Sequence, residues 1–164
     1  MQVNEYTTHS PKETKQLAEL FARELMTSDV ARKGALVVAL EGDLGGGKTT
    51  FTQGFACGLG VRKKVLSPTF VIMRHHNIRK SDFHMFIHMD AYRIENIKEL
   101  RALGWQDILK DREAIVLVEW ANRIHRALPK NYIQVKFRFI RENMRDISMS
   151  VKLKAKSVKQ QLKT

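Results

Sequence analysis

Eight consecutive residues carry the most legible chemistry in this chain: Gly42, Asp43, Leu44, Gly45, Gly46, Gly47, Lys48 and Thr49 spell G-x-x-x-x-G-K-T. Glycines in that spacing let the backbone curl until its N–H groups point inward, where they cradle phosphate oxygens. Lys48 can reach β- and γ-phosphates, and the Thr49 hydroxyl can ligate Mg²⁺. A phosphate loop of this kind needs an acidic group at a neighbouring strand end, to hold the metal or to orient a water. Asp90 closes the stretch Phe83–Met89, and Glu119 closes the apolar run Ala114–Val118. Ligands gather at the carboxyl ends of parallel strands, so both are candidates, and the purer apolar run defines Glu119's strand better. Four histidines, His75, His76, His84 and His88, raise a metal site as an option. Neither cysteine partners nor an H-E-x-x-H spacing supports it. His84 and His88 lie an even number of residues apart and share one face of a strand.

The loop needs a strand before it and a helix after it. Ala35–Leu40 is apolar and rich in β-branched residues, as a buried parallel strand is. Thr50–Leu59 places Phe51, Phe55, Ala56 and Leu59 on one helical face, with Gly60 as its stop. Cys57 is expected in the core on that apolar side. An earlier helix starts at Ser10 as N-cap, with Pro11 in its first turn and Glu13 completing a capping box. Its stripe is Leu17, Leu20, Phe21 and Leu25.

Further along, Pro68 interrupts regular structure. Phe70–Met73 and Phe83–Met89 read as strands joined by a polar, basic connection over His75–Ser81. Glu95–Leu103 suits a helix with Ile97, Leu100 and Leu103 inward, stopped by Gly104. Ala114–Val118 is a second buried strand, and Asn122–Leu128 a short helix before Pro129. Tyr132–Phe139 and Ile147–Leu153 alternate strictly, as a half-exposed antiparallel hairpin does across Arg141–Asp146. The expected fold is a three-layer α/β P-loop NTPase fold. Its central sheet is mixed and mostly parallel, with a C-terminal antiparallel hairpin. One domain covers 1–153, and a basic tail covers 154–164.

The chain has 164 residues, 43% of them hydrophobic, enough for a sizeable core. No apolar run is long enough to span a membrane, the polar N-terminus has no signal-like apolar stretch, and a single cysteine suits a reducing compartment. A cytoplasmic protein is expected. The net charge of +12 is uneven: from Arg123 onward there are twelve Lys or Arg against two Asp or Glu, whereas residues 1–122 are nearly balanced. Such asymmetry suits a polyanionic partner such as RNA or an acidic protein surface, or equally a solvated basic face with a Lys-rich tail.

The segments Gly42–Phe51, Ser67-Pro68-Thr69-Phe70, His88-Met89-Asp90-Ala91-Tyr92-Arg93 and Val118-Glu119-Trp120, with Leu103-Gly104 followed by Asp107, fall in the order and spacing of the TsaE (YjeE) family. The resemblance runs from about Ser10 to about Val151. It implies a small bacterial ATPase that supports formation of N6-threonylcarbamoyladenosine in tRNA, bound to the TsaD–TsaB pair, with ATP and Mg²⁺ as cofactors. By the same resemblance Asp43, Leu44, Gly45, Gly46, Gly47, Lys48, Thr49 and Thr50 hold phosphates, and Thr49, Asp90 and Glu119 hold Mg²⁺. Lys48, Asp90 and Glu119 serve catalysis. Trp120 and Arg145 approach the nucleotide, and Ser67 and Thr69 belong to a switch-like loop. Gly46 stands where the family usually has alanine, a change expected to matter little, and Asp107 replaces a usual Glu. Two other readings fit a P-loop chain: a small-molecule kinase with Arg74 and Arg79 in a lid, or a basic RNA-binding module with a passive nucleotide site.

Overall fold

The two all-apolar runs become the centre of the sheet. β2 (Leu36–Glu41) and β5 (Ala114–Glu119) pair in parallel, Leu36 opposite Ile115 and Leu40 opposite Glu119. In this computed structural model residues 3–28, 33–62, 65–66, 68, 70–80 and 82–153 are described. Around that centre lie β1 (Val3–Thr8), α1 (Pro11–Thr27), α2 (Lys48–Gly58), β3 (Met73–Lys80) and β4 (Phe83–Asp90). α3 (Ile97–Ala102), α4 (Trp105–Lys110), a 3-10 helix over Ala121–Ala127, β6 (Asn131–Arg141) and β7 (Met144–Leu153) complete the fold. The strand order is β1-β7-β6-β2-β5-β4-β3. The four consecutive central strands β6, β2, β5 and β4 run parallel, and antiparallel strands close both sides.

Alternation along the central strands sorts side chains into two cores. Val38, Leu40, Ile115 and Leu117 face α1 and α2, where they meet Ala18, Ala22, Phe51 and Phe55. Val37, Ala39, Val116 and Val118 face the other way, toward Leu100, Trp105 and Ile124. A sheet covered by helices on both faces is the expected three-layer arrangement, and its parallel strands need no polar face.

α1 begins where expected. Ser10 Oγ accepts the Glu13 amide at 3.1 Å, but the Glu13 carboxylate closes back on the His9 amide at 2.8 Å rather than on Ser10. Its buried residues are Thr14, Ala18, Ala22 and Leu25, with Leu17 and Phe21 partly covered, whereas Leu20 is 65% exposed. Small residues face inward because α1 packs closely on α2: a Cβ on Gly54 would sit 2.2 Å from the Lys15 carbonyl oxygen. Cys57 is exposed, so its expected place in the core is corrected; it falls just outside the Phe51–Phe55 stripe.

The remaining corrections lie away from the centre. Phe70–Ile72 form no strand. The Val71 and Ile72 amides donate to the Pro68 carbonyl at 2.9 and 2.6 Å, making a turn, and β3 begins at Met73. The segment His75–Lys80 read as a connection is most of β3, paired antiparallel with β4 and with a register shift between Asn77 and Lys80. It supplies no lid. Asn96 and Glu99 form the capping box that starts α3, Leu103 is its C-cap, and Gly104, at φ +71°, not only stops that helix but is the N-cap of a second one, α4. Ile97 is 45% exposed. β1 was not foreseen: its residues are exposed as far as Thr7, and a polar strand held by one neighbour, β7, has no apolar pattern to announce it. The final hairpin turns more tightly than expected, over Glu142-Asn143, with Asn143 at φ +61°. The expected tail 154–164 lies outside the described residues.

Candidate functional site

β2 ends at Glu41 and the phosphate-type loop follows at once, entering α2 at Lys48 with Gly47 as N-cap at φ +101°. Strand, glycine loop and helix N-terminus direct unpaired N–H groups and the positive end of the helix toward one place. The glycines are needed for closeness. A Cβ on Gly42 would lie 2.7 Å from the Phe137 carbonyl oxygen of β6. Gly46 matters more than expected: its amide bonds the Asp43 carbonyl at 3.1 Å, and a Cβ there would lie 2.9 Å from the same oxygen, so an alanine would force the loop to shift.

A cleft of about 480 Å³ opens over the loop. It collects Leu44 to Thr50, Asp90, Glu119, Trp120 and Arg145, most of the residues singled out in the sequence. Asp43 does not line it; its carbonyl accepts from Lys48 Nζ at 2.7 Å, and the Gly42 carbonyl accepts from the same ammonium at 2.6 Å. The Trp120 ring lies 3.8 Å from that nitrogen. Burial lowers the Lys48 pKa, against the opposing pull of Glu119, Asp43 and Asp90.

Glu119 stands at the end of β5, directly opposite Asp90 at the end of β4. Its carboxylate is buried, and donors converge on it: Thr49 Oγ1 to Oε2 at 2.9 Å, and Thr52 Oγ1 and His88 Nε2 to Oε1 at 3.1 and 2.8 Å. A buried charge without such partners would cost several kcal/mol. Asp90 Oδ1 accepts the Tyr92 amide at 2.9 Å. The Asp90 amide donates to the Ile72 carbonyl, and Ala91's to the Glu119 carbonyl. Ile72 and Trp120 both have left-handed backbones, φ +64° and +58°, costly for such side chains and placed where they bracket the two carboxylates.

Arg145, on β7, lies over the loop. Its Nη2 approaches the Gly45 carbonyl at 3.5 Å, its Nε lies 3.4 Å from where a Gly47 Cβ would stand, and its buried Nη1 has no hydrogen-bond partner among the described residues. Ser67 and Thr69, assigned to a switch-like loop, lie outside the described residues. The histidines make no metal cluster: among the described residues no group of three or more potential ligands converges.

Sequence reasoning named His88 only as a metal option and, with Tyr92, as part of a family motif, giving neither a place in this site, and it missed Thr52, and Pro11 and Thr14, through which α1 lines the cleft. Signals existed for two. His88 precedes Asp90 by two residues and so shares its strand face; Thr52 follows Thr49 by one helical turn. Tyr92 packs on Trp120, ring centroids 4.9 Å apart.

The hydroxyl of Thr49 and the carboxylates of Glu119 and Asp90 are hard oxygen donors of the kind Mg²⁺ prefers, so the residues present fit that ion. Fold and loop together define the class: an α/β chain of P-loop NTPase-like architecture. Comparison with known proteins goes further. The family model described as "Threonylcarbamoyl adenosine biosynthesis protein TsaE" matches residues 8–147, and the chain belongs to the TsaE family. The chain is 38% identical over 145 residues to the tRNA threonylcarbamoyladenosine biosynthesis protein TsaE of Bacillus subtilis, covering 88% of this chain and 84% of that one. It is 33% identical over 143 residues to the protein of the same name from Rickettsia prowazekii, covering 85% and 90%. The crystal structure of B. subtilis YdiB superposes with a TM-score of 0.70 at 33% identity, over 93% of this chain and 86% of that one. Among the described residues no helix is long and apolar enough to cross a membrane.

Proposed function

We propose that this protein is a Mg²⁺-dependent ATPase that serves N6-threonylcarbamoyladenosine formation in tRNA while bound to the TsaD–TsaB pair. The observation that carries the reading is the 2.9 Å contact from Thr49 to Glu119, which joins the phosphate loop to a strand-end carboxylate. These are two of the groups that would hold Mg²⁺. Family membership supplies the pathway.

In this reading the loop amides and the α2 N-terminus bind the phosphates, and Lys48 leaves the Gly42 and Asp43 carbonyls to meet the β- and γ-oxygens. Thr49, Glu119 and Asp90 would hold Mg²⁺, which when bound neutralises charge developing on the transferred phosphoryl group. Glu119 or Asp90 orients the water for in-line attack on the γ-phosphate. Arg145, whose Nη1 has no hydrogen-bond partner among the described residues, would reach the same phosphates. Trp120 flanks the nucleotide. The basic C-terminal region, with Lys136, Arg138 and Arg141 exposed on β6, is the side offered to tRNA.

Release of phosphate from Mg–ATP, measured with the protein alone and with TsaD and TsaB added, tests the reading. Slow hydrolysis alone and faster hydrolysis with the pair are expected. Transfer of labelled phosphate to an acceptor other than water would overturn it. Binding of tRNA that weakens steeply with salt would support the basic region as its contact.

A further inference from the structure

The ATPase reading gives His88 no task, yet its side chain is fully buried and within 2.8 Å of the carboxylate on which that reading depends. The two oxygens of Glu119 are not held alike. Oε2 has one donor, Thr49, whose hydroxyl borders the open cleft and has a second use at the metal. Oε1 has two, both from fully buried residues. Of these, Thr52 is divided: its single hydroxyl hydrogen serves both the Lys48 carbonyl at 2.9 Å and Oε1 at 3.1 Å. A carboxylate only accepts, so His88 donates through Nε2, and its Nδ1 has no partner among the described residues. The ring is fully enclosed. It lies parallel to Phe86, 8° between planes, and its backbone is paired to Leu117 on one side and Arg74 on the other.

We infer that His88 is a positioning residue that divides the work of the two Glu119 oxygens. It pins Oε1 in the protein interior, so that when the Thr49 hydroxyl turns away Oε2 alone faces the cleft. The inference rests on the ATPase reading for its consequence, but the pinning itself is open to observation without turnover.

Two kinds of measurement test it. His88→Phe keeps a ring over Phe86 and removes the donor; His88→Gln returns an N–H close to the Nε2 position. Partners behind a metal or catalytic ligand typically cost 10–100-fold when removed. For His88→Phe the expected result is a fall of about that size in kcat, with the KM for ATP within about threefold of wild type; His88→Gln recovers most of the loss. Unchanged kcat in a folded Phe variant, or a KM that rises as much as kcat falls, overturns the inference. The activity-independent measurement follows the His88 Nε2 proton by nitrogen-edited NMR in the wild-type protein. Protection from solvent exchange that persists when Mg–ADP is added supports the pinning, and loss of protection on addition overturns it, whether or not ATP is hydrolysed. Wild-type protein without hydrolysis, alone or with TsaD and TsaB, would instead break the ATPase reading and leave the NMR result to decide the role of His88.

Discussion

Glu119 at the end of β5 and Asp146 near the start of β7 are both carboxylates held by side-chain donors, but in different solvents. Glu119 sits in the interior, held by two threonines and a histidine. Asp146 accepts from Thr7 of β1 at 2.8 Å and from Arg138 of β6 at 2.5 Å, yet the arginine is 76% exposed and water competes throughout. Hydrogen bonds to Arg138 and then Thr7 lower the Asp146 pKa. The contacts are chemically alike. Their consequences differ because losing one partner of a buried charge leaves it uncompensated, whereas an exposed pair returns to water at little cost. The covered centre of the sheet can therefore hold a carboxylate in one geometry, and the antiparallel flank chiefly joins strands.

The sharpest way to break this comparison is in the covered layer itself. Phe51 is fully buried between Phe21, Phe55 and Phe137, so Phe51→Ala should lower unfolding free energy by about 3–5 kcal/mol, read from urea denaturation. Lys48→Ala should leave the fold standing and reduce hydrolysis by about 100- to 1000-fold, the scale for removing one group that stabilises transition-state charge; phosphate release by the purified, folded variant checks it. Glu119→Ala should depress hydrolysis by about 100-fold and nucleotide affinity by much less, if the carboxylate acts on water. Equal losses, separated by calorimetric titration with ADP, would make its role one of binding alone.

The smallest effect belongs to the flank. Because Asp146 has a lower pKa folded than unfolded, its contribution to stability is present above the ordinary aspartate value near 3.8 and disappears as pH falls through the lowered one. Asp146→Asn should lower the thermal midpoint slightly at neutral pH, and the difference from wild type should close in strong acid. A difference that persists there would mean the contact is not electrostatic.

The same contrast explains what could be read from the sequence. β2 and β5 are covered on both faces, so their runs of apolar residues announced them, and Glu119 came with its strand. Of the flanks, the β6–β7 hairpin was legible from its strict alternation, whereas β1 and β3 were misread because their patterns answer to water. β1 is a strand by virtue of β7, Thr7 meeting Asp146 across 139 residues of chain, and His75–Lys80 is polar because β3 is an edge. In the site, the loop and its two acidic partners were legible from type and spacing. His88 and Thr52 were not, because a buried histidine and a helical threonine gain their meaning from a carboxylate that only the folded sheet brings beside them.

Gly42 and Gly46 pack against Phe137, and Arg145 reaches Gly45 across a separation of one hundred residues. The loop is thus written early in the chain and completed late. On a translating ribosome, α1, β2 and α2 emerge long before the strand that shapes the loop from behind. A nascent chain stalled after β5 would carry the whole G-x-x-x-x-G-K-T sequence without the wall that gives the loop its curve. Competence toward nucleotide would then arrive only once β6 and β7 have been made, and a message cut off before them would yield a product that does not sequester the ligand.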